Sequence, residues 1–218
     1  NHADGKPYVW FAFVIDQDAN KHLKFNAVEV EGGTTPSKLY AAWSEYGEGR
    51  PVVVANAGFF NMRTLESVSL LVNEGKVDAP DVRSVTRTNA NGEKVTVYPI
   101  HAAFGQMSDG SYEAQWIFCQ PEKDYHPYVY PFAVGNDDSL RLYSPAPPAV
   151  GQLGSYPWQV VDAVAAGPML VKNGRDVSLE SSLGESYYRT IGGKARHNRT
   201  AIGLTDDGKL VIMVVDGR

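Results

Sequence analysis

Cysteine is nearly absent from this chain. Cys119 is the only one, so an internal disulfide is excluded, together with any CxxC metal or redox motif. Within the apolar stretch Tyr112–Cys119 it reads as a small core residue rather than a nucleophile. Positive charge is also scarce: 20 Lys and Arg against 25 Asp and Glu leave a net charge of −5. Nucleic acid is thereby excluded as a partner class, because displacing counterions from phosphates takes basic patches. No apolar run reaches membrane-spanning length, and no basic-then-apolar signal segment opens the chain, although a mature secreted product would also lack one. The histidines His2, His22, His101, His126 and His197 show no HExxH and no pairing on one helical face, which excludes a zinc motif. No metal ligands and no cofactor are assigned, with divalent-metal assistance left open. Internal repeats and low-complexity tracts are missing as well.

What is present points to sheet. Hydrophobic residues make up 43% of the chain, enough for one sizeable core, and they come in short runs separated by turn signals. The fold class expected is α+β: a sheet-rich single domain over residues 1–218, mostly antiparallel, with few helices. Tyr8–Ile15 reads as a strand covered on both faces, with Leu23–Val30 as its neighbour. Thr35 as N-cap, Pro36 at the first helical position, and the stripe Leu39, Trp43, Tyr46 predict one helix, ended by Gly47 and Gly49. Pro51–Ala55 reads as a buried strand with Asn56 at its tip. Hairpin turns are expected at Asn73-Glu74-Gly75, Asp109-Gly110 and Asn173-Gly174. The proline-rich Ser144–Pro148 marks a surface connection, and Gln120–Trp158 the place of a peripheral insertion.

Two segments carry the chemistry. Thr200–Leu204 and Leu210–Val215 bracket Asp206-Asp207-Gly208-Lys209; a two-residue or a four-residue loop sets the same register. Arg199 then faces Asp216, a guanidinium and a carboxylate about 5 Å apart at the Cβ atoms. Arg199, Ala201 and Gly203 share one face, the two small residues leaving room for a ligand, and Arg218 shares the face of Asp216. A phosphate calls for a bidentate cation, and acid or base work for a carboxylate held by its neighbours. The plainer reading is a cross-strand ion pair. Gly192–Asn198 joins flexibility to positive charge, as a lid over an anion or as a solvated loop.

The second segment is Asn56-Ala57-Gly58-Phe59-Phe60. The Asn56 amide can donate and accept toward a polar ligand, Gly58 permits close backbone approach, and Phe59 or Phe60 can wall the face of a sugar. Asn136-Asp137-Asp138-Ser139 offers oxygen ligands but lacks the spacing of an EF-hand loop, so it reads as a polar turn.

From Pro51 to Arg218 the order of these segments resembles the phosphodiester glycosidase family. The resemblance is carried by Asn56–Phe60, Ser69–Val77, Phe104-Gly105 with Asp109-Gly110, Ala165–Gly174 and, most specifically, Arg199-Thr200-Ala201-Ile202-Gly203 with Asp216-Gly217-Arg218. It implies hydrolysis of a sugar-1-phosphodiester. Asn56, Arg199 and Asp216 would be the catalytic positions, Arg218, Phe59 and Thr200 would bind substrate, and Gly167 would be a structural glycine near the cleft. A phosphate-ester leaving group departs with a low pKa, so stabilising its charge matters more than protonating it, which suits Arg199 and Arg218. Asp216 would activate water or stabilise an oxocarbenium-like transition state, and Asn56 would orient a hydroxyl or acetamido group. The resemblance also implies a carbohydrate or phosphoglycan substrate and a secreted, periplasmic or cell-surface location. Family members continue past Asp-Gly-Arg into a helix and a glycine-rich acidic segment, so the 1–218 domain is expected to be C-terminally incomplete. A second class of reading is a non-catalytic module for surface glycans, with Trp43, Trp116 and Trp158 as stacking platforms.

Overall fold

The computed structural model describes residues 9–45, 47–81, 84–88, 91–133, 146–185 and 197–217, apart from the Arg87 side chain. In chain order the elements are β1 (Val9–Ile15), α1 (Pro36–Ala41), β2 (Leu71–Asn73), β3 (Lys76–Ala79), β4 (Val85–Thr88), β5 (Lys94–Val97), β6 (His101–Met107) and β7 (Tyr112–Gln120). There follow β8 (His126–Tyr130), β9 (Tyr156–Pro157), β10 (Val160–Ala165), β11 (Val171–Lys172), β12 (Arg175–Asp176), α2 (Ser178–Gly184), β13 (Arg199–Leu204) and β14 (Leu210–Asp216). The protein is a sheet-rich α+β chain with antiparallel pairing.

A seven-stranded sheet, ordered β3-β2-β10-β6-β7-β8-β9, supplies the core. Successive side chains on a strand point to opposite faces, and here both faces are covered. Val72, Ala103, Ile117, Cys119 and Ala163 pack on one face with Trp158, while Ala102, Trp116, Phe118, Tyr130 and Met169 pack on the other. That is why the strands read as near-continuous apolar runs. Cys119 is fully buried; its Sγ accepts from the Asp81 amide at 3.1 Å, and burial pushes its thiol far above the ordinary range. The segment Gln120–Trp158 supplies β8 and β9 at one edge of this sheet.

Turn chemistry sets the registers. Glu74 and Gly75 (φ 50° and 78°) join Asn73 to Lys76, and Asn173 and Gly174 (φ 52° and 74°) join Lys172 to Arg175, both two-residue hairpins. At the predicted helix, Thr35 Oγ1 accepts from the Lys38 amide at 3.3 Å and Pro36 opens α1. The helix is short: Ala42 caps it, a 3₁₀ turn follows at Trp43–Glu45, and Tyr46 lies outside the described residues.

Three expectations are corrected. Val9–Ile15 does form a strand, but among the described residues β14 is its one strand neighbour and it is not covered: Trp10, Phe11 and Val14 are 57%, 61% and 60% exposed. Leu23–Val30 and Pro51–Ala55 are not strands. The first is tied to the large sheet instead, by the Ala27 amide donating to Asp162 Oδ1 at 3.5 Å. The second is irregular, with Val52 65% exposed, because its apolar residues have no neighbouring ladder. A run of valines states a preference for extended backbone, and only a partner strand makes it a strand.

Glu185 is a buried acidic side chain with no exposure. Its Oε1 accepts from the Met169 amide at 2.9 Å, from the indole of Trp116 at 3.0 Å and from the Ser181 hydroxyl; its Oε2 accepts from the Ala102 amide at 2.8 Å. Every contact is a donor, so an amide in its place must turn N–H groups toward N–H groups. Glu185→Gln is therefore expected to destabilise the fold by about 2–4 kcal/mol, read from urea unfolding.

Asp162 behaves differently. Burial raises its carboxyl above the ordinary value, against the amides of Ala27 and Glu74 that hold it down. The folded chain thus binds this proton more tightly than the unfolded chain, and the penalty stands at pH values above the raised pKa. Stability from this group is regained as pH falls through that value toward 3.8. Asp162→Asn keeps an acceptor for both amides, so it should flatten that part of the stability–pH profile and leave neutral-pH stability unchanged or higher, checked by unfolding at pH steps.

Candidate functional site

The site begins with a loop length. In β13 and β14, Leu204 pairs with Leu210, the Gly208 amide donates to Thr205 O at 2.9 Å, and the Thr205 amide donates to Lys209 O at 2.9 Å. Gly208 sits at φ 81°, in the left-handed region that glycine adopts without strain. This is a type I turn closed by a bulge glycine, a three-residue loop over 206–208. Being odd, it moves the register by one from the expected pairing.

Arg199 consequently faces Val215, not Asp216, and Thr200 faces Val214. The expected cross-strand pairing of Arg199 with Asp216 is corrected: the two stem from opposite faces of the three-stranded sheet, which is ordered β1-β14-β13. Asp216 shares its face with Thr200 and Val214, and Arg199 shares its face with Ala201 and Gly203. Arg218 lies outside the described residues, as do Gly192–Arg196 of the basic loop and Asn136–Ser139.

What the structure does bring together is Thr200 and Asn56. The Thr200 hydroxyl donates to Asn56 Oδ1 at 2.7 Å, across 144 residues of sequence. The Asn56 segment is held from beneath by Ser69, whose buried Oγ accepts from the Phe59 amide at 2.7 Å and donates to Phe59 O at 3.1 Å. Gly58 is required by that proximity, since a Cβ there would lie 2.5 Å from Ser69 Oγ and 2.6 Å from Ala165 O. The other motif glycine has a similar cause: a Cβ on Gly217 would lie 2.1 Å from His197 O, and the Gly217 amide donates to Asn198 Oδ1 at 3.2 Å.

A trough of about 2170 Å³ runs between the two sheets, lined among others by Asn56, Phe59, Gly167, Lys172, Arg199 and Thr200. That is larger than the roughly 300–1,000 Å³ of a small-ligand pocket, so the trough is an open groove. Along β14 it is bounded by residues up to Met213, short of Asp216. Gly167 stands at its wall at φ 123°, a backbone conformation that excludes other residues. The neighbouring Lys172 donates to Ala114 O and to Gln115 Oε1 at 2.6 Å, and burial lowers its pKa below the usual lysine range.

The tryptophans proposed as stacking platforms are corrected: Trp43, Trp116 and Trp158 are 9%, 4% and 1% exposed, and fill cores instead. Among the described residues no group of three or more His, Cys, Asp or Glu converges to hold a metal, and no helix is long and apolar enough to cross a membrane. Two residues escaped the sequence reading. Ser69 is a hydroxyl within the apolar run Val68–Val72, and a polar group in a buried segment needs a partner, which was its signal. Glu185 had none, because its donors come from four separate places in the chain.

Fold and site together define a sheet-rich α+β protein with a largely apolar groove, carrying a few polar side chains, between two sheets. The chain belongs to the phosphodiester glycosidase family, whose model matches residues 49–218. No curated protein matches it. It is similar to the solved structure of the zebrafish N-acetylglucosamine-1-phosphodiester alpha-N-acetylglucosaminidase catalytic domain, auto-inhibited by pro-peptide: 20% identity, TM-score 0.39, covering 75% of this chain and 40% of that one. A hypothetical protein from Synechocystis is 15% identical, with TM-score 0.42, covering 95% and 45% respectively. This chain thus spans less than half the length of either.

Gly58→Ala tests the packing of the motif segment. The added methyl meets a backbone carbonyl that cannot swing away, so a loss of about 1–3 kcal/mol is expected in chemical denaturation.

Proposed function

We propose that this protein hydrolyses the glycosidic bond of a sugar-1-phosphodiester, releasing the sugar from a phosphorylated glycan or alcohol. One observation carries the reading. The family match takes in both polar segments, and Asn56 of the first meets Thr200 of the second at the groove, 2.7 Å apart.

The roles follow from chemistry. The departing phosphate ester carries its charge away as the bond breaks, so a fixed cation lowers the barrier more than an acid does. Arg199, which lines the groove, is assigned to that charge, with Arg218 beside it by sequence. Asp216 is assigned to the anomeric carbon, by activation of water or by stabilising an oxocarbenium-like state. Asp216 stems from the face of Thr200, opposite to that of Arg199, and past the residues that line the groove, so its assignment rests on its place in the Asp-Gly-Arg motif. Asn56 positions the sugar or the phosphoryl group, Phe59 walls the groove, and Thr200 supports Asn56. A secreted, periplasmic or cell-surface location is part of the proposal, since such substrates are glycan-borne.

The test is release of reducing sugar from N-acetylglucosamine 1-phosphodiesters by the unsubstituted chain and by Asp216→Asn and Arg199→Ala. Each substitution is expected to lower kcat/KM by at least about tenfold to a hundredfold. Undiminished turnover in both would remove these assignments. Retention of glycan without turnover, indifferent to the 1-phosphate, would favour a binding module.

A further inference from the structure

We propose that Ser69 is a positioning residue for Asn56, fixing the loop so that the amide's N–H pair, not its carbonyl, faces the groove. The argument has three parts. First, Ser69 Oγ bonds both backbone groups of Phe59, the amide at 2.7 Å and the carbonyl at 3.1 Å, beside the Val68 amide that donates to the same carbonyl at 2.9 Å, so the side chain adds to the short Phe60–Ser67 pairing the anchor that holds the Phe59 amide. Second, Ser69 itself cannot shift: it is fully buried, and its carbonyl accepts from the Ser67 hydroxyl at 2.9 Å. Third, with the loop so placed, Asn56 Oδ1 falls 2.7 Å from the Thr200 hydroxyl, which can only donate to it. The carbonyl end of the amide is thereby engaged by the protein. What faces the groove is a pair of donors, matched to an acceptor such as a phosphoryl or acetamido oxygen.

Gly58 completes the device, because Ser69 Oγ occupies the space where any Cβ at that position would stand. An alanine at 69 would take the Oγ bond from the Phe59 amide, leave the Val68 bond to its carbonyl in place, and loosen the hold on the loop. Displacements of this kind, of about an ångström, are enough to cost roughly a hundredfold in rate.

This inference rests on the glycosidase reading only for its kinetic consequence, and the experiment separates the two. Ser69→Ala, the size-matched Ser69→Cys and, as a control for lost stability, Val72→Ala are made in the full chain and followed by ¹⁵N NMR. In Ser69→Ala the Phe59 amide should exchange at least about tenfold faster and the Asn56 side-chain amide signals should move, with Ser69→Cys intermediate. Val72→Ala should lower the melting temperature and leave those signals in place. Unchanged Asn56 signals and Phe59 exchange in either folded Ser69 variant would overturn the proposal. With a sugar-1-phosphodiester, Ser69→Ala should reduce kcat about tenfold or more with KM little changed, and should add nothing to the loss caused by Asn56→Ala. If the unsubstituted chain cleaves no such substrate, the glycosidase reading falls, and the NMR comparison still decides the role of Ser69.

Discussion

The structure turns on a carboxylate that water never reaches. Glu185 would be costly to bury alone, by several kcal/mol, yet donors from β6, β7, α2 and the segment after Pro168 converge on it. The convergence is mutual: the buried amides of Ala102 and Met169 find their acceptor in Glu185, while the Trp116 indole shares itself between Glu185 and Ser181 Oγ. One side chain therefore fastens the short α2 to the sheet and anchors Met169. That in turn holds Gly167 against the groove.

The groove is made from pieces that differ in how firmly they are set. On the side of the large sheet, two-sided burial and the Glu185 bonds leave little freedom. On the other side the three-stranded sheet carries a widely exposed β1 and, among the described residues, hydrogen-bonds the Asn56 side chain through the Thr200 hydroxyl. Polar side chains of the site thus come from a loop pinned by Ser69 and a hairpin edge, and their relation depends on short hydrogen bonds rather than on a shared core.

Much of this was legible in the sequence. The sheet-rich α+β class, the Thr35–Pro36 helix start, the hairpins at Gly75 and Gly174 and the burial of Cys119 all follow from residue types whose preferences are local, and the structure keeps them. Asn56 and Thr200 were both chosen for the site, and they touch. What failed depended on partners. Pro51–Ala55 has strand-like residues but no ladder, and Leu23–Val30 is held by distant partners, the Ala27 amide on Asp162, 135 residues away, Glu29 on the Ser67 amide, and Phe25 against Phe104. The expected pairing of Arg199 with Asp216 failed through a single unit of loop length, since even loops of two and four agree and the loop here has three residues. Nothing in Asp206-Asp207-Gly208-Lys209 weighs strongly between these choices except the backbone freedom of Gly208, which serves both.

That turn has a bearing on how such a site can change over generations. Because it carries an odd number of residues, gaining or losing one codon there would exchange the inward and outward sides of the whole final strand, sending Asp216 and Val214 where Val215 and Met213 now point. No residue of the turn lines the groove apart from Asp206. Its length nonetheless governs the lining of the groove as directly as a residue within it, and an insertion harmless at another surface tip would here present a different chemical lining.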